Sequence, residues 1–220
     1  MSIDGLSERL GGSGYAVFDV DTRRLVEREG GELALELMGK AKVIERGLGR
    51  VLDWAEKVGA AELVTTCLTT MQACEDGEVI QEGGDLCHMP MGVSAERVDE
   101  WVGGRRFVVG RPCEGCRDEK ISKRYFDAFA HHQGLARLIE RIDAKCWVVM
   151  GASFDICLRV TAEGLVRLGQ EVVVLEDVTL PSPRSTEESM RETKEKLREM
   201  GVRWMGVDAF FEEMQMGAVK

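Results

Sequence analysis

The stretch Cys146–Asp177, CWVVMGASFDICLRVTAEGLVRLGQEVVVLED, decides the fold. Its apolar run Trp147–Met150 reads as a buried strand. Small residues follow at Gly151, Ala152 and Ser153, as a tight turn requires. Beyond the turn, apolar positions at Ile156, Val160, Leu165 and Leu168 mark an amphipathic helix. Asp155 is its expected N-cap and Gly169 its stop. Glu171–Leu175 is a second apolar strand. A strand, turn, helix and strand with continuous apolar runs predict a parallel sheet covered on both faces. Ligands of such sheets bind at the carboxyl ends of the strands, which is where Cys157 falls.

That position gives Cys157 chemical interest. The first turn of a helix exposes amides that favour an anion, so a thiolate there has a lowered pKa and greater nucleophilicity at neutral pH. Taken alone, however, an isolated cysteine is more often a buried structural thiol.

The segment GASFDICLRVTAEGLVRLGQEVVVLEDV resembles the nucleophile segment of the isochorismatase-like cysteine hydrolases. That family includes nicotinamidases, carbamoylsarcosine amidohydrolases and isochorismatases. The matching positions are Gly151, Asp155, Cys157 and the pair Thr161-Ala162. Two more family features are present. The first predicted strand, Tyr15–Val20, carries Asp19 near its carboxyl end. The run KRYFDAF places Lys123, Phe126, Ala128 and Phe129 at the family spacing. The resemblance covers residues 15–66 and 118–214.

The resemblance implies a catalytic triad of Asp19, Lys123 and Cys157. Asp19 would accept the thiol proton and later activate water, and Lys123 would favour the thiolate. An oxyanion hole would form in the turn Ala152, Ser153 and Cys157, where the family often has a non-proline cis peptide, here at Ala152–Ser153. Asp21 stands where family members often carry glutamine, so a second carboxylate enters the pocket, with Phe126 as a further lining residue. The implied activity is hydrolysis of a small amide-type C–N bond through a thioester. A nucleophilic cysteine favours this over the enol-ether chemistry of isochorismatases.

The rest of the chain supports one domain over residues 1–220. Its 220 residues and 44% hydrophobic content suit a single core. The expected architecture is a Rossmann-like, three-layer α/β/α domain with a mostly parallel six-stranded sheet. A helical pattern ending at Gly59 precedes the strand Glu62–Thr66, and Trp54 within it reads as core. A net charge of −10 argues against nucleic acid and anionic membrane surfaces as partners. The expected partner is a small-molecule substrate. The resemblance adds a homo-oligomer, and seven cysteines without an export signal point to the reducing cytoplasm.

Residues 67–117 depart from the family. Nicotinamidases carry an Asp-x-His metal motif after the second strand, whereas this chain has Cys67-Leu68-Thr69-Thr70-Met71. No catalytic metal or other cofactor is therefore expected. Cys113 and Cys116 form one C-x-x-C, a spacing that suits a tetrahedral ion. With Cys74 and Cys87 they would complete a structural zinc site, while the same thiols equally suit a redox pair or reduced cysteines. The alternative to a hydrolase is therefore a non-enzymatic module of the same fold, built on a metal-binding or thiol-redox cysteine cluster. Downstream, Ser185 and Glu188 read as the capping box of a helix ending at Gly201.

Overall fold

The computed structural model describes residues 14–21, 41–68, 86–89, 106–112, 127–131, 134–182 and 185–217. In chain order these form β1 (Tyr15–Val20), α1 (Ala41–Val58), β2 (Ala61–Leu68), β3 (Leu86–Met89), β4 (Arg106–Pro112), α2 (Ala128–His131) and α3 (Leu135–Ile142). They continue with β5 (Cys146–Ala152), a π-helical turn (Phe154–Leu158), α4 (Arg159–Arg167), β6 (Glu171–Leu180), α5 (Glu187–Glu199), β7 (Arg203–Met205) and α6 (Val207–Gly217).

The strands form one sheet in the order β3-β4-β2-β1-β5-β6-β7, and every neighbouring pair is parallel. The sheet thus has seven strands among the described residues rather than six, all parallel. The strand β3, which the sequence does not mark, pairs with β4 in the register Leu86↔Arg106 to Met89↔Val109. Four residues, LCHM, carry too little alternation to stand out from the surrounding sequence.

Strand parity sorts the core into two faces. Phe18, Trp147, Val149, Val172 and Val174 meet Leu138, Ile139 and Ile142 of α3, Leu165 of α4 and Leu197 of α5. Val17, Val148, Met150, Val173 and Leu175 meet Ile44, Leu48 and Val51 of α1 and Val207 and Phe210 of α6. Each central strand is therefore apolar on both sides, which is why β5 is buried at all seven positions. Trp54 belongs to this structural layer. Its ring packs edge-on to Phe210 at 5.1 Å and to Tyr15 at 5.7 Å. Tyr15 opens β1, so this aromatic cluster lies at the amino end of the sheet, away from the carboxyl ends of the strands.

Two helix starts differ from expectation. Thr186, not Ser185, caps α5: its hydroxyl accepts from the Ser189 amide (3.1 Å) while Ser189 Oγ accepts from the Thr186 amide (3.0 Å). A box closed by serine replaces the one expected with Glu188. Asp155 does not cap the helix after β5. Ser153 stands at that position without a side-chain cap bond, and the Asp155 carboxylate instead accepts from the Ser182 amide (3.2 Å), 27 residues on.

Candidate active site

The order of the strands creates a topological switch point. From β1 the chain adds β2 and then β4 to one side, with β3 beyond β4. It then crosses back to lay β5 on the other side of β1. The connections leaving the carboxyl ends of β1 and β5 therefore diverge, which is the switch point where open parallel sheets bind ligands.

Asp19 is the penultimate residue of β1, in register with Met150 of β5, and is 1% exposed. Asp21 follows the end of the strand at φ 60°, a left-handed conformation that aspartate tolerates. Its carboxylate accepts from the Thr65 hydroxyl (3.1 Å), and its amide donates to the Thr65 carbonyl (3.2 Å). Asp21 is thereby tied to β2.

On the β5 side the ladder with β1 closes at Val20↔Gly151. Gly151 has φ +120°, and a Cβ built there would lie 2.1 Å from the Val20 carbonyl oxygen. Only glycine lets the two backbones approach so closely at this point. The Ala152–Ser153 peptide bond is cis. The chain then enters a wide turn in which the Leu158 amide donates to the Ser153 carbonyl, five residues back (3.1 Å).

Cys157 lies in that turn, reduced and 7% exposed, against the α3–α4 side of the core. Asp19 shares the strand parity of Val17, which belongs to the α1 side. Asp19 and the cysteine segment thus stand at the carboxyl ends of two adjacent strands. Around Cys157 the backbone is fixed by side chains. The Thr161 hydroxyl donates to the Cys157 carbonyl (2.9 Å), and Arg159 Nε donates to the Asp155 carbonyl (3.1 Å). Arg159 also donates to Glu163 (2.8 Å), a carboxylate shared with Lys196 (2.8 Å) and Arg167 (3.0 Å). Burial pushes the Glu163 carboxyl up, but hydrogen bonds from Lys196 and Arg159, with their positive charge, outweigh it and hold it below the ordinary glutamate range.

Arg159, Thr65, Ser182 and Glu163 escaped the sequence reading. Their partners lie on other elements or look like a surface i,i+4 pair. Thr161 was marked only by the Thr-Ala motif. Lys123, Phe126, Cys74, Cys113 and Cys116 lie outside the described residues, and Cys87 lies in β3. Among the described residues no group of three or more His, Cys, Asp or Glu could hold a metal ion. None of the described helices is long and apolar enough to cross a membrane.

No family model matches the chain, and no curated protein does. Solved structures match it along nearly their whole length. The pyrazinamidase of Pyrococcus horikoshii, in complex with zinc, is 16% identical with a TM-score of 0.57, covering 88% of this chain and 99% of that one. An isochorismatase family protein from Desulfovibrio vulgaris is 18% identical with a TM-score of 0.58, covering 92% and 99%. The yeast nicotinamidase is 14% identical with a TM-score of 0.55, covering 87% and 99%. The parallel sheet and its flanking helices are thus features of a shared architecture: the chain has the isochorismatase-like hydrolase fold.

Proposed function

We propose that the chain is a cysteine-dependent hydrolase of a small amide-type substrate, working through a thioester with Asp19, Lys123 and Cys157 as its triad. The observation that carries this reading is that Asp19, near the carboxyl end of β1, and the turn carrying Cys157, which follows the carboxyl end of β5, belong to adjacent strands at the switch point. The neighbours described as pyrazinamidase and nicotinamidase support a C–N bond as the target.

In the proposed reaction Asp19 takes the proton of the Cys157 thiol, and the Lys123 ammonium stabilises the resulting charges. The sulfur attacks the amide carbon and forms a C–S bond. The oxyanion is held by backbone amides of the Ala152-Ser153 turn and of Cys157. The C–N bond then breaks, and the nitrogen leaves with the proton that Asp19 carries, giving ammonia or an amine. Water, deprotonated by Asp19, attacks the thioester. A carboxylic acid departs and the thiol is restored. Asp21, held by Thr65, brings a second carboxylate to the substrate side of this site.

A metal of the nicotinamidase type does not fit the residues present. Cys67, Leu68, Thr69, Thr70 and Met71 offer thiol, hydroxyl and thioether groups in place of a carboxylate–imidazole pair. No step above uses an ion.

The test is ammonia release from a panel of small aliphatic and aromatic amides. Turnover of at least one amide is expected, with complete loss in Cys157→Ala and a mass increase on Cys157 when the reaction is quenched early. Hydrolysis that survives in Cys157→Ala would overturn the reading.

A further inference from the structure

The turn that carries Cys157 is wider than an α-helix. The Leu158 amide donates to the Ser153 carbonyl, five residues back (3.1 Å). The Arg159 amide donates to the carbonyls of Phe154, five back, and Ile156, three back. In an α-helix it would donate to the carbonyl four back, that of Asp155. The Asp155 carbonyl instead accepts from the side chain of the same residue, through Arg159 Nε (3.1 Å). The guanidinium thus takes the place that the Arg159 amide would hold, and favours the wide register over the narrower one.

Both ends of the turn are anchored from other elements. Arg159 Nη1 donates to Glu163 (2.8 Å), whose buried carboxylate also accepts from Lys196 of α5 (2.8 Å). The Asp155 carboxylate accepts from the Ser182 amide beyond β6 (3.2 Å), and the Phe154 ring packs edge-on to Trp204 of β7 at 5.2 Å. On the α4 side the Thr161 hydroxyl donates to the Cys157 carbonyl (2.9 Å). Closing the turn to the α register would take up one residue and rotate its two ends by about 100° relative to each other. Cys157 lies between those ends, so the direction of its sulfur depends on which register holds.

We infer that Arg159 is a positioning residue for the nucleophile: by taking the Asp155 carbonyl, its guanidinium holds the turn in the register that aims the Cys157 sulfur. This rests on the reading of Cys157 as the nucleophile proposed above. Arg159 acts through the backbone of the turn. Arg167 supplies the comparison, because it donates to the same Glu163 carboxylate (3.0 Å) from the far end of α4.

The experiment compares the parent chain with Arg159→Met and Arg167→Met, and urea unfolding checks that each is folded. It measures iodoacetamide modification of Cys157 relative to Cys146 at pH 7 by peptide mass spectrometry, and kcat and KM on an amide that the parent turns over. Arg159→Met should lower both the modification ratio and kcat by about tenfold or more, with KM changed less. Arg167→Met should leave both within about twofold of the parent. A ratio or a kcat that stays within about twofold in folded Arg159→Met, or equal losses in the two variants, would overturn the positioning role and leave the nucleophile standing. Comparable modification of the two cysteines in the parent, or hydrolysis that survives in Cys157→Ala, would remove the nucleophile and the role of Arg159 with it. Should Arg159→Met fail to fold, Arg159→Lys is read in its place against the same outcomes. It keeps a charge for Glu163 but replaces the planar fork with a single ammonium.

Discussion

Replacing Gly151 with alanine tests the contact that brings β1 and β5 together at the switch point. The new Cβ would sit 2.1 Å from the Val20 oxygen, 2.8 Å from the Val20 carbonyl carbon and 3.0 Å from its nitrogen. All three are backbone atoms of a central strand, held on both sides by ladder hydrogen bonds, so they cannot swing aside as a side-chain tip would. Overpacking of this kind costs about 1–3 kcal/mol. The φ of +120° adds a backbone term of about 1–3 kcal/mol once a side chain is present. Together they predict a loss of about 4 kcal/mol, a large share of the ~5–15 kcal/mol that stabilises a typical domain. Gly169→Ala is the control. Its φ is +77° and no atom lies within 4 Å of the added carbon, so only a backbone term of about 1–2 kcal/mol remains. Urea unfolding followed by tryptophan fluorescence suits the comparison, because Trp147 is fully buried in β5. The denaturant slope should stay constant while the midpoint falls. The melting temperature of Gly151→Ala should drop by about 8–16 °C, at ~2–4 °C per kcal/mol for a chain of this size. Equal losses in the two variants would refute the steric argument.

Glu163→Gln should cost about 1–3 kcal/mol in urea unfolding at pH 7, since it leaves three cations around a buried neutral amide. The Glu163 carboxyl is held low in the folded chain, so its contribution is present above the ordinary glutamate range. That contribution disappears as pH falls through the folded value, and the stability gap between parent and variant should close in acid. Thr161→Val should lower stability by about 1–2 kcal/mol by leaving the buried Cys157 carbonyl without its hydroxyl partner, read as a shift in urea midpoint. Thr186→Ala should cost about 1 kcal/mol in a thermal melt. Ser185→Ala should cost much less, and the reverse ranking would restore Ser185 as the cap.

The central strands were legible because burial on both faces requires apolar runs, and Tyr15–Phe18 and Trp147–Met150 supply them. The end of β6 was not. Glu176 and Asp177 look like a strand terminus, yet the strand continues to Leu180 after a register shift between Val149 and Gly151. Both charges point outward there, and Asp177 caps α6 by accepting from the Val207 amide (3.0 Å). Asp155 shows the limit of local rules. Spacing marks it as an N-cap, but the Ser182 amide, brought in by the sheet, takes its carboxylate instead. The same holds for the candidate site. Residue types and spacing single out Asp19 and Cys157 through resemblance to a family. That the two lie on neighbouring strands follows only from β5 returning beside β1, a fact of topology invisible in either segment. Glu163 was hidden because Arg159 and Arg167, four residues to either side, make it look like an exposed helix pair. Lys196, from α5, joins them around a carboxylate that is itself buried.

The central claim concerns one sulfur, and the protein carries its own control for it. Cys146 and Cys157 are equally buried, each 7% exposed. Burial, with Glu171 nearby, pushes the Cys146 thiol up to about 11, whereas the proposed triad keeps Cys157 ionised near neutrality. The decisive measurement is the relative rate at which iodoacetamide modifies these two cysteines at pH 7, read by peptide mass spectrometry. The account predicts that Cys157 reacts faster by about a hundredfold or more. Comparable rates, or faster modification of Cys146, would contradict it.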